Sequence, residues 1–176
     1  MPEVGIILGS DSDIPRISDC FAILEEFGVE FEAVVSSAHR TPEETKAWVK
    51  DAPSRGIRVI IAAAGGAAHL PGVVSSYTVL PVIGIPIETG VMGGLDSVLS
   101  ILQMPSGIPV ATMPVGRSGG ANAALFAVSI LALLDSGYAA KLAAYREKMR
   151  AGVLEKNEKL RRQGYRAYMQ SVEGRK

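Results

Sequence analysis

Val59-Ile60-Ile61-Ala62-Ala63 is a continuous apolar run that ends against Ala64-Gly65-Gly66. A run without polar alternation is typical of a strand whose two faces are both covered, as in a parallel sheet. Similar runs recur along the chain, at Val4–Leu8, Phe31–Val35, Val82–Ile85 and Val110–Met113. The sequence therefore predicts five buried strands.

Amphipathic segments separate these runs and predict helices between the strands. The first segment has an apolar stripe at helical spacing and ends at Gly28; the stripe is Ile14, Ile17, Phe21 and Leu24. The second opens with Thr41-Pro42-Glu43-Glu44, the pattern of a capping box. Further helices are expected after Pro71 and over about 96–103 and 122–135. Strands that alternate with helices predict a three-layer α/β/α sandwich with a parallel, flavodoxin-like sheet, although the strand order stays open.

The composition excludes several classes of partner. Eighteen basic and eighteen acidic side chains give a formal charge of zero, so no long-range field attracts nucleic acid or a membrane surface. Cys20 is the only cysteine, which excludes an internal disulfide and a cysteine-based metal site. The start of the chain has no basic leader, and the longest apolar stretch, 121–134, is shorter than the roughly 20 residues of a membrane span. We expect a cytoplasmic protein.

The chain changes character after residue 136. Residues 1–136 fit one α/β/α catalytic domain, whereas 137–176 are rich in Ala, Lys, Glu and Arg and predict one long helix. We interpret 137–176 as a helical arm that packs on a neighbouring subunit. The alternative is a helix that folds back on its own domain.

The chain has two histidines, and each lies where a predicted strand gives way to a helix. Histidine both accepts and donates protons near neutral pH, so His39 and His69 are candidate acid–base groups. Arg40, directly after His39, offers a fork of donors for a phosphate or carboxylate. The alternative is that the two rings only satisfy loop carbonyls.

Three more loops follow predicted strands at the edge where open parallel sheets bind ligands: Gly9–Asp13, Gly65–His69 and Gly116–Asn122. Their small and hydroxyl-bearing residues favour an anion near a helix start. Asp13 suits sugar hydroxyls, or else caps the first helix. A phosphate and a ribose together indicate a nucleotide-like ligand.

Other common motifs are absent or misplaced. The chain has no P-loop and no Gly-x-Gly-x-x-Gly after its first strand, so ATP hydrolysis and a dinucleotide cofactor are not expected. Gly116–Gly120 matches the Gly-x-Ser-x-Gly of serine hydrolases, but both histidines precede Ser118, contrary to the order that this fold needs. The histidines, Asp11 and Asp13 lack metal-ligand spacing.

Four motifs in this order closely resemble the 5-(carboxyamino)imidazole ribonucleotide mutase family: Gly9–Asp13, Ser37–Pro42, Ala64–Gly72 and Gln103–Pro109. The resemblance covers about residues 3–135. It implies an isomerase of de novo purine (IMP) synthesis that moves a carboxylate from the exocyclic nitrogen of aminoimidazole ribonucleotide to a ring carbon. It also implies a flavodoxin-like subunit in a homo-octamer, with the C-terminal helix on a neighbour.

The resemblance assigns roles residue by residue. His39 is expected to carry the proton; the ribose phosphate is expected on Ser10, Asp13, Ser37 and Arg40. The carboxylate pocket is expected to be walled by Gly65, Gly66, Ala67, His69 and Leu70. No metal, ATP or organic cofactor is required, because one histidine can deliver and recover the proton. Ala63 departs from the family, which usually has glycine there.

Two alternatives remain open at this point. A sister branch carboxylates aminoimidazole ribonucleotide directly with carbon dioxide, although the runs at 37–42 and 69–72 resemble the mutase branch. The same loops could also form a non-catalytic sensor of a ribonucleotide phosphate. If the chain is the mutase, a transient hand-off of substrate from the ATP-dependent carboxyamino ribonucleotide synthase is a further expected partnership.

Overall fold

The computed structural model describes residues 1–173. Its sheet has five strands: β1 (Val4–Leu8), β2 (Phe31–Val35), β3 (Val59–Gly65), β4 (Val82–Ile87) and β5 (Ala111–Thr112). Their spatial order is β2-β1-β3-β4-β5, and all neighbours are parallel. This is the flavodoxin-like order, so the predicted fold class is confirmed.

Two layers of helices cover the sheet. These helices are α1 (Ser18–Phe27), α2 (Pro42–Asp51), α3 (Leu70–Ser76), α4 (Leu95–Leu102) and α5 (Arg117–Leu131). A sixth helix, α6 (Ser136–Glu173), follows them in the chain. A Cβ added to Gly84 of β4 would lie 2.5 Å from Ile101 of α4 and 3.4 Å from Pro71 of α3. On the opposite face, Ile85 contacts α5, which packs against α1. With α2 beside α3, these contacts make the α/β/α sandwich.

The core lies around the three central strands. Every residue of β1 and β4 is buried, and β3 is buried up to Ala64. The edge strand β2 is only half-buried, and its Val35 is 48% exposed. The apolar runs without alternation therefore mark central strands well, because both faces of these strands are covered by helices.

The region before α1 differs from the prediction. Two 3₁₀ turns, Asp11–Asp13 and Pro15–Ile17, precede the helix, which begins at Ser18. The tighter turns place Ile14 outside the apolar stripe, where it is 42% exposed, while Ile17 is buried. The prediction for Ile14 was therefore wrong. Gly28 ends α1 as predicted, with a left-handed φ of 68°.

The ends of β3 and β4 extend two residues beyond the predicted bounds. Gly65 pairs with Ile87 in the last rung, and Pro86 lies inside β4 opposite Ala64. The predicted strand ended at Ile85, before Pro86. Conversely, β5 has only two residues where 110–113 were predicted.

Helix α5 begins five residues earlier than predicted, at Arg117 instead of Asn122. Its glycines permit close packing: a Cβ on Gly119 would lie 2.2 Å from the Pro114 carbonyl oxygen, and one on Gly120 would lie 3.2 Å from the Cys20 nitrogen. Cys20 is fully buried in this α1–α5 contact, and burial raises the pKa of its thiol to about 12.

The contacts of the chain divide into two units, Met1–Tyr138 and a second that begins at Ala139. The second unit contains α6 from Ala139 onward, and the helical backbone is interrupted at Gly164 (φ 75°, ψ 157°). Residues 174–176 of the predicted arm lie outside the described residues. Across 1–173, none of the helices combines the length and apolar character that a membrane crossing requires.

Candidate active site

The carboxyl ends of β1, β2, β3 and β4 surround a cleft of about 500 Å³. This edge is where open parallel sheets bind ligands. Most residues predicted for the site line the cleft: Ser10, Asp13, Ser37, His39, Arg40, Gly65, Ala67, His69 and Leu70. Gly66 is not among the lining residues; its backbone N–H donates to the hydroxyl of Ser97.

The two histidines meet in this cleft. His39 Nε2 lies 2.8 Å from His69 Nδ1, and the ring planes cross at 85°. One of these nitrogens donates and the other accepts, so the hydrogen bond requires that one of the two lacks a proton. Nδ1 of His39 and Nε2 of His69 are not used in this contact. The pair therefore has two further ring nitrogens with which to exchange a proton with a ligand.

The loop that carries His39 is closed by hydroxyl groups. The Thr41 hydroxyl accepts the Ser37 N–H at 2.9 Å and donates to the Ser37 carbonyl at 3.1 Å. Behind it, the buried Ser36 hydroxyl lies 2.7 Å from the Thr45 hydroxyl of α2. Thr41 therefore makes no side-chain cap for α2, and the predicted capping box was wrong. Its hydroxyl is already engaged by the turn.

Arg40 and two serines supply donors at one end of the cleft. Arg40 Nε lies 3.4 Å from the Ser37 hydroxyl, and a terminal nitrogen lies 3.4 Å from the Gly9 carbonyl oxygen. The Ser10 hydroxyl lies 2.9 Å from that of Ser12. The contacts of Arg40 are long, so much of its donor capacity is available to an anion. This arrangement suits a phosphate or a carboxylate.

Asp13 is a buried carboxyl group at the same end, 8% exposed. Burial raises its pKa, against the opposing effects of a hydrogen bond from the Ser10 backbone and the charge of Arg16. The cap of this 3₁₀ turn is Ser10, whose hydroxyl accepts the Ser12 N–H, so Asp13 does not act as the helix cap. Its carboxyl group lies at the cleft instead, where it can accept hydrogen bonds from sugar hydroxyls.

The segment from Gly65 to His69 forms a wall of small residues. Its turn is closed by the Ala68 N–H, which donates to the Gly65 carbonyl at 3.2 Å. Gly66 (φ 68°) and Ala68 (φ 42°) both adopt left-handed backbone. For a residue other than glycine this conformation costs roughly 1–2 kcal/mol. Because no long side chain projects between Gly65 and Ala68, a flat ring can approach the backbone closely.

The part of the cleft that follows β4 was not predicted from the sequence. Glu88 and Thr89 line it, and Arg16 from the loop after β1 donates to the Glu88 carbonyl. Ligands of open parallel sheets bind beyond the carboxyl ends of the strands, and this rule also predicts that residues directly after β4 contribute to the site. Because β4 was predicted to end at Ile85 instead of Ile87, the polar residues after the strand were not recognised as part of the site.

The segment at 116–122, which was predicted to contribute a loop to the site, does not line the main cleft. Gly116 and Arg117 line a second cavity of about 370 Å³, which shares Arg16 and Glu88 with the main cleft. Arg117 lies 3.7 Å from Asp19, and its side chain is 93% exposed. The structure therefore separates this glycine-rich segment from the two histidines.

Comparisons with known proteins show the family of this chain. The model of a family described as AIR carboxylase matches residues 3–152. An N5-carboxyaminoimidazole ribonucleotide mutase of Thermotoga maritima is 50% identical over 173 residues, which are 98% of this chain and 100% of that protein. These similarities confirm the family resemblance that the four motifs indicated.

A longer relative and a solved structure extend the comparison. The phosphoribosylaminoimidazole carboxylase of Saccharomyces cerevisiae is 50% identical over 170 residues, which are 97% of this chain but 29% of that protein. The crystal structure of Treponema denticola PurE superposes with a TM-score of 0.83 at 30% identity and covers 91% of this chain and 99% of its own.

Proposed function

The chain belongs to the AIR carboxylase family, and we propose that it is the N5-carboxyaminoimidazole ribonucleotide mutase of de novo purine biosynthesis. The observation that carries the proposal is the match to mutases along nearly their whole length, from Thermotoga maritima and from Pyrococcus horikoshii (52% identical, 94% of that protein). The activity is an isomerisation. We also propose that the protein acts in the cytoplasm, as predicted from the sequence.

The reaction needs two proton transfers. A proton reaches the exocyclic nitrogen as its bond to the carboxylate breaks and carbon dioxide leaves. The ring carbon then attacks the carbon dioxide and loses its own proton, so the proton count is unchanged. We assign both transfers to His39, as predicted from the sequence. General acid–base catalysis of this kind contributes roughly 10²–10⁴-fold.

The contact between the histidines supports this assignment. When His39 carries the additional proton, its Nε2 can donate to His69 Nδ1, 2.8 Å away. A hydrogen bond from a charged donor is roughly twice as strong as a neutral one, so it stabilises the protonated carrier. His69 therefore acts beside His39 and walls the pocket.

Substrate binding follows from the polar groups of the cleft. We assign the phosphate to Arg40, Ser37 and Ser10 and the ribose hydroxyls to Asp13. The imidazole and its carboxylate then lie against the small residues from Gly65 to Leu70. Carbon dioxide held there against the ring makes recapture effectively intramolecular.

We also propose that the protein is a homo-octamer in which α6 packs on a neighbouring subunit. Support comes from apolar side chains that the single chain leaves exposed. On α6, Met149 is 58% and Val153 is 64% exposed; on α4, Leu99 is 47% and Leu102 is 57% exposed. Light scattering should give eight times the 18.5 kDa of one chain. An unchanged assembly after deletion beyond Asp135 would exclude the arm as a contact.

The fungal relatives bear on the proposed hand-off of substrate. The chain matches less than a third of the carboxylases of Saccharomyces cerevisiae and Schizosaccharomyces pombe. In those organisms this domain is therefore one part of a longer chain. We propose that a separate ATP-dependent synthase supplies the labile substrate here.

Direct carboxylation of aminoimidazole ribonucleotide is the second candidate, because the yeast relative that is 50% identical is named a carboxylase. The test offers each substrate separately: carboxyamino ribonucleotide, or aminoimidazole ribonucleotide with bicarbonate. An ultraviolet assay follows the ring-carboxylated product. Efficient conversion of the first, lost in His39→Asn, supports the mutase. Efficient use of the second alone would identify a carboxylase, and turnover of neither would contradict both.

A further inference from the structure

The ends of β3 and β4 are joined by one buried hydroxyl group. Ser97 lies in the first turn of α4 and has no solvent exposure. Its Oγ accepts the backbone N–H of Gly66 at 2.9 Å and donates to the carbonyl of Ile87 at 2.8 Å. The side chain therefore bridges two segments that both border the active-site cleft.

The bridge lies where the sheet stops. Gly65 and Ile87 form the last rung between β3 and β4, and at Gly66 the backbone turns left-handed. Backbone donors and acceptors at such a divergence lose their partners in the ladder, and an unpaired buried polar group is unfavourable. A hydroxyl group can donate and accept at once, so serine satisfies both strands with one side chain.

The bridge lies three residues before His69. Between them, the Ala68 N–H closes a tight turn on the Gly65 carbonyl, and Ala68 is itself buried. After His69, the buried Leu70 begins α3. The segment is thus held at its start by Ser97 and at its end by α3, which leaves His69 little freedom. The 2.8 Å contact from His69 to His39 depends on this placement.

Asp96, the residue before Ser97, holds the adjoining segment that follows β4. Asp96 accepts a hydrogen bond from the Thr89 hydroxyl at 2.7 Å, and Thr89 lines the cleft. The first turn of α4 therefore holds both the 65–69 segment and the segment after β4. None of its side chains lines the cleft itself.

We propose that Ser97 is a positioning residue for the proposed mutase reaction: its hydroxyl group fixes the Gly65–His69 segment so that His69 stays hydrogen-bonded to His39. The inference rests on the proposed function for its effect on turnover. Its effect on the histidine pair does not depend on that function. Ser97 acts through the backbone of Gly66 and does not touch substrate.

Two variants separate hydrogen bonding from packing. Ser97→Ala removes the hydroxyl group, and Ser97→Cys fills similar volume with a sulfur that hydrogen-bonds weakly. Ser75→Ala is the matched control, because Ser75 is also buried and helical and donates to the Pro109 carbonyl at 2.8 Å, away from the cleft. If Ser97→Ala fails to fold, Ser97→Cys provides the test.

The first measurement uses the fact that the chain has only two histidines. In protein with ¹⁵N-labelled histidine, four ring nitrogens report the tautomers and the shared hydrogen bond at one fixed pH. Both Ser97 variants should change the shifts of His39 Nε2 and His69 Nδ1, while Ser75→Ala leaves them as in the wild type. Wild-type shifts in the Ser97 variants would overturn the proposal.

The second measurement is turnover with carboxyamino ribonucleotide. Because Ser97 acts through His69, whose hydrogen bond is worth roughly 0.5–1.5 kcal/mol, kcat should fall about two- to tenfold in both Ser97 variants with KM little changed. Ser75→Ala should retain wild-type kcat. Full activity of Ser97→Cys would mean that volume alone matters and would overturn the proposal. An inactive wild type would refute the proposed function, and the histidine shifts would still decide the role of Ser97.

Discussion

The two loops that carry the histidines are held by different means. The His39 loop is fixed by hydroxyl groups from its own neighbourhood, Thr41 and Thr45, within nine residues of Ser36. The His69 loop is fixed at Gly66 by Ser97, which is 31 residues away in sequence. The hydroxyl bonds near Ser36 tie the His39 loop to α2. The bond to Ser97 instead makes the position of the His69 loop depend on how α4 packs. The histidine contact therefore joins a loop held by hydroxyl groups near it in sequence to a loop held by a distant helix.

Exchanging each histidine for asparagine gives the largest expected effect. His39→Asn should lower kcat about 10²–10⁴-fold, because the proton carrier is lost. His69→Asn removes the ring that hydrogen-bonds to His39 but leaves the proton carrier in place, so its loss should be nearer tenfold, about the worth of one hydrogen bond. Steady-state kinetics measures both, with thermal unfolding as the control for folding. Equal losses would show that the two rings do not have distinct roles.

Replacing Arg40, the cation of the His39 loop, gives the next largest expected effect. Arg40→Ala should raise KM roughly 10- to 100-fold, since charge-assisted hydrogen bonds are worth about 1.5–3 kcal/mol. Arg117→Ala is the matched control, because Arg117 lines the second cavity and not the main cleft. Equal changes in KM for the two variants would argue against a phosphate at Arg40.

The local anchor of the His39 loop can be removed with almost no change in shape. Thr45→Val deletes the fully buried hydroxyl group that bonds Ser36, and we expect about 1–2 kcal/mol less unfolding free energy and a few-fold lower kcat. Thr112→Val is the control, because its buried Oγ1 has no hydrogen-bond partner among residues 1–173. That change should be neutral or stabilising. Urea unfolding distinguishes the two, and equal destabilisation would contradict the anchor.

The smallest effect is expected at the turn of the His69 loop. Gly66→Ala meets no atom within 4 Å but must adopt a φ of 68°, so the unfolding free energy should fall by about 1 kcal/mol. Gly90→Ala also meets no atom within 4 Å and has no left-handed φ, so it should change stability little. Urea unfolding of both variants measures the strain alone. No difference between them would mean that the turn relaxes.

Features that depend on neighbouring residues were predictable from the sequence. The central strands follow from uninterrupted apolar runs, and both histidines follow strand ends, so their shared edge was foreseeable. The clustering of Ser10, Ser37 and Arg40 follows from the same rule.

Features that depend on distant partners were not predictable. Nothing in the residues around Ser97 indicates that its hydroxyl group meets Gly66, because that contact exists only once α4 lies on the sheet. Likewise, Thr41 fits a capping box by spacing, but its hydroxyl group closes the turn with Ser37 instead. The Thr41 hydroxyl group could either cap α2 or close the turn, and the local sequence pattern does not show which hydrogen bond is more favourable.

The burial of Cys20 has a practical consequence for labelling. With no exposure and a thiol pKa of about 12, this cysteine forms almost no thiolate at neutral pH and resists alkylation. The chain is therefore a natural single-label background, in which one engineered surface cysteine becomes the reactive thiol. A probe attached through Val153→Cys on α6 could report by fluorescence whether that helix meets water or another molecule.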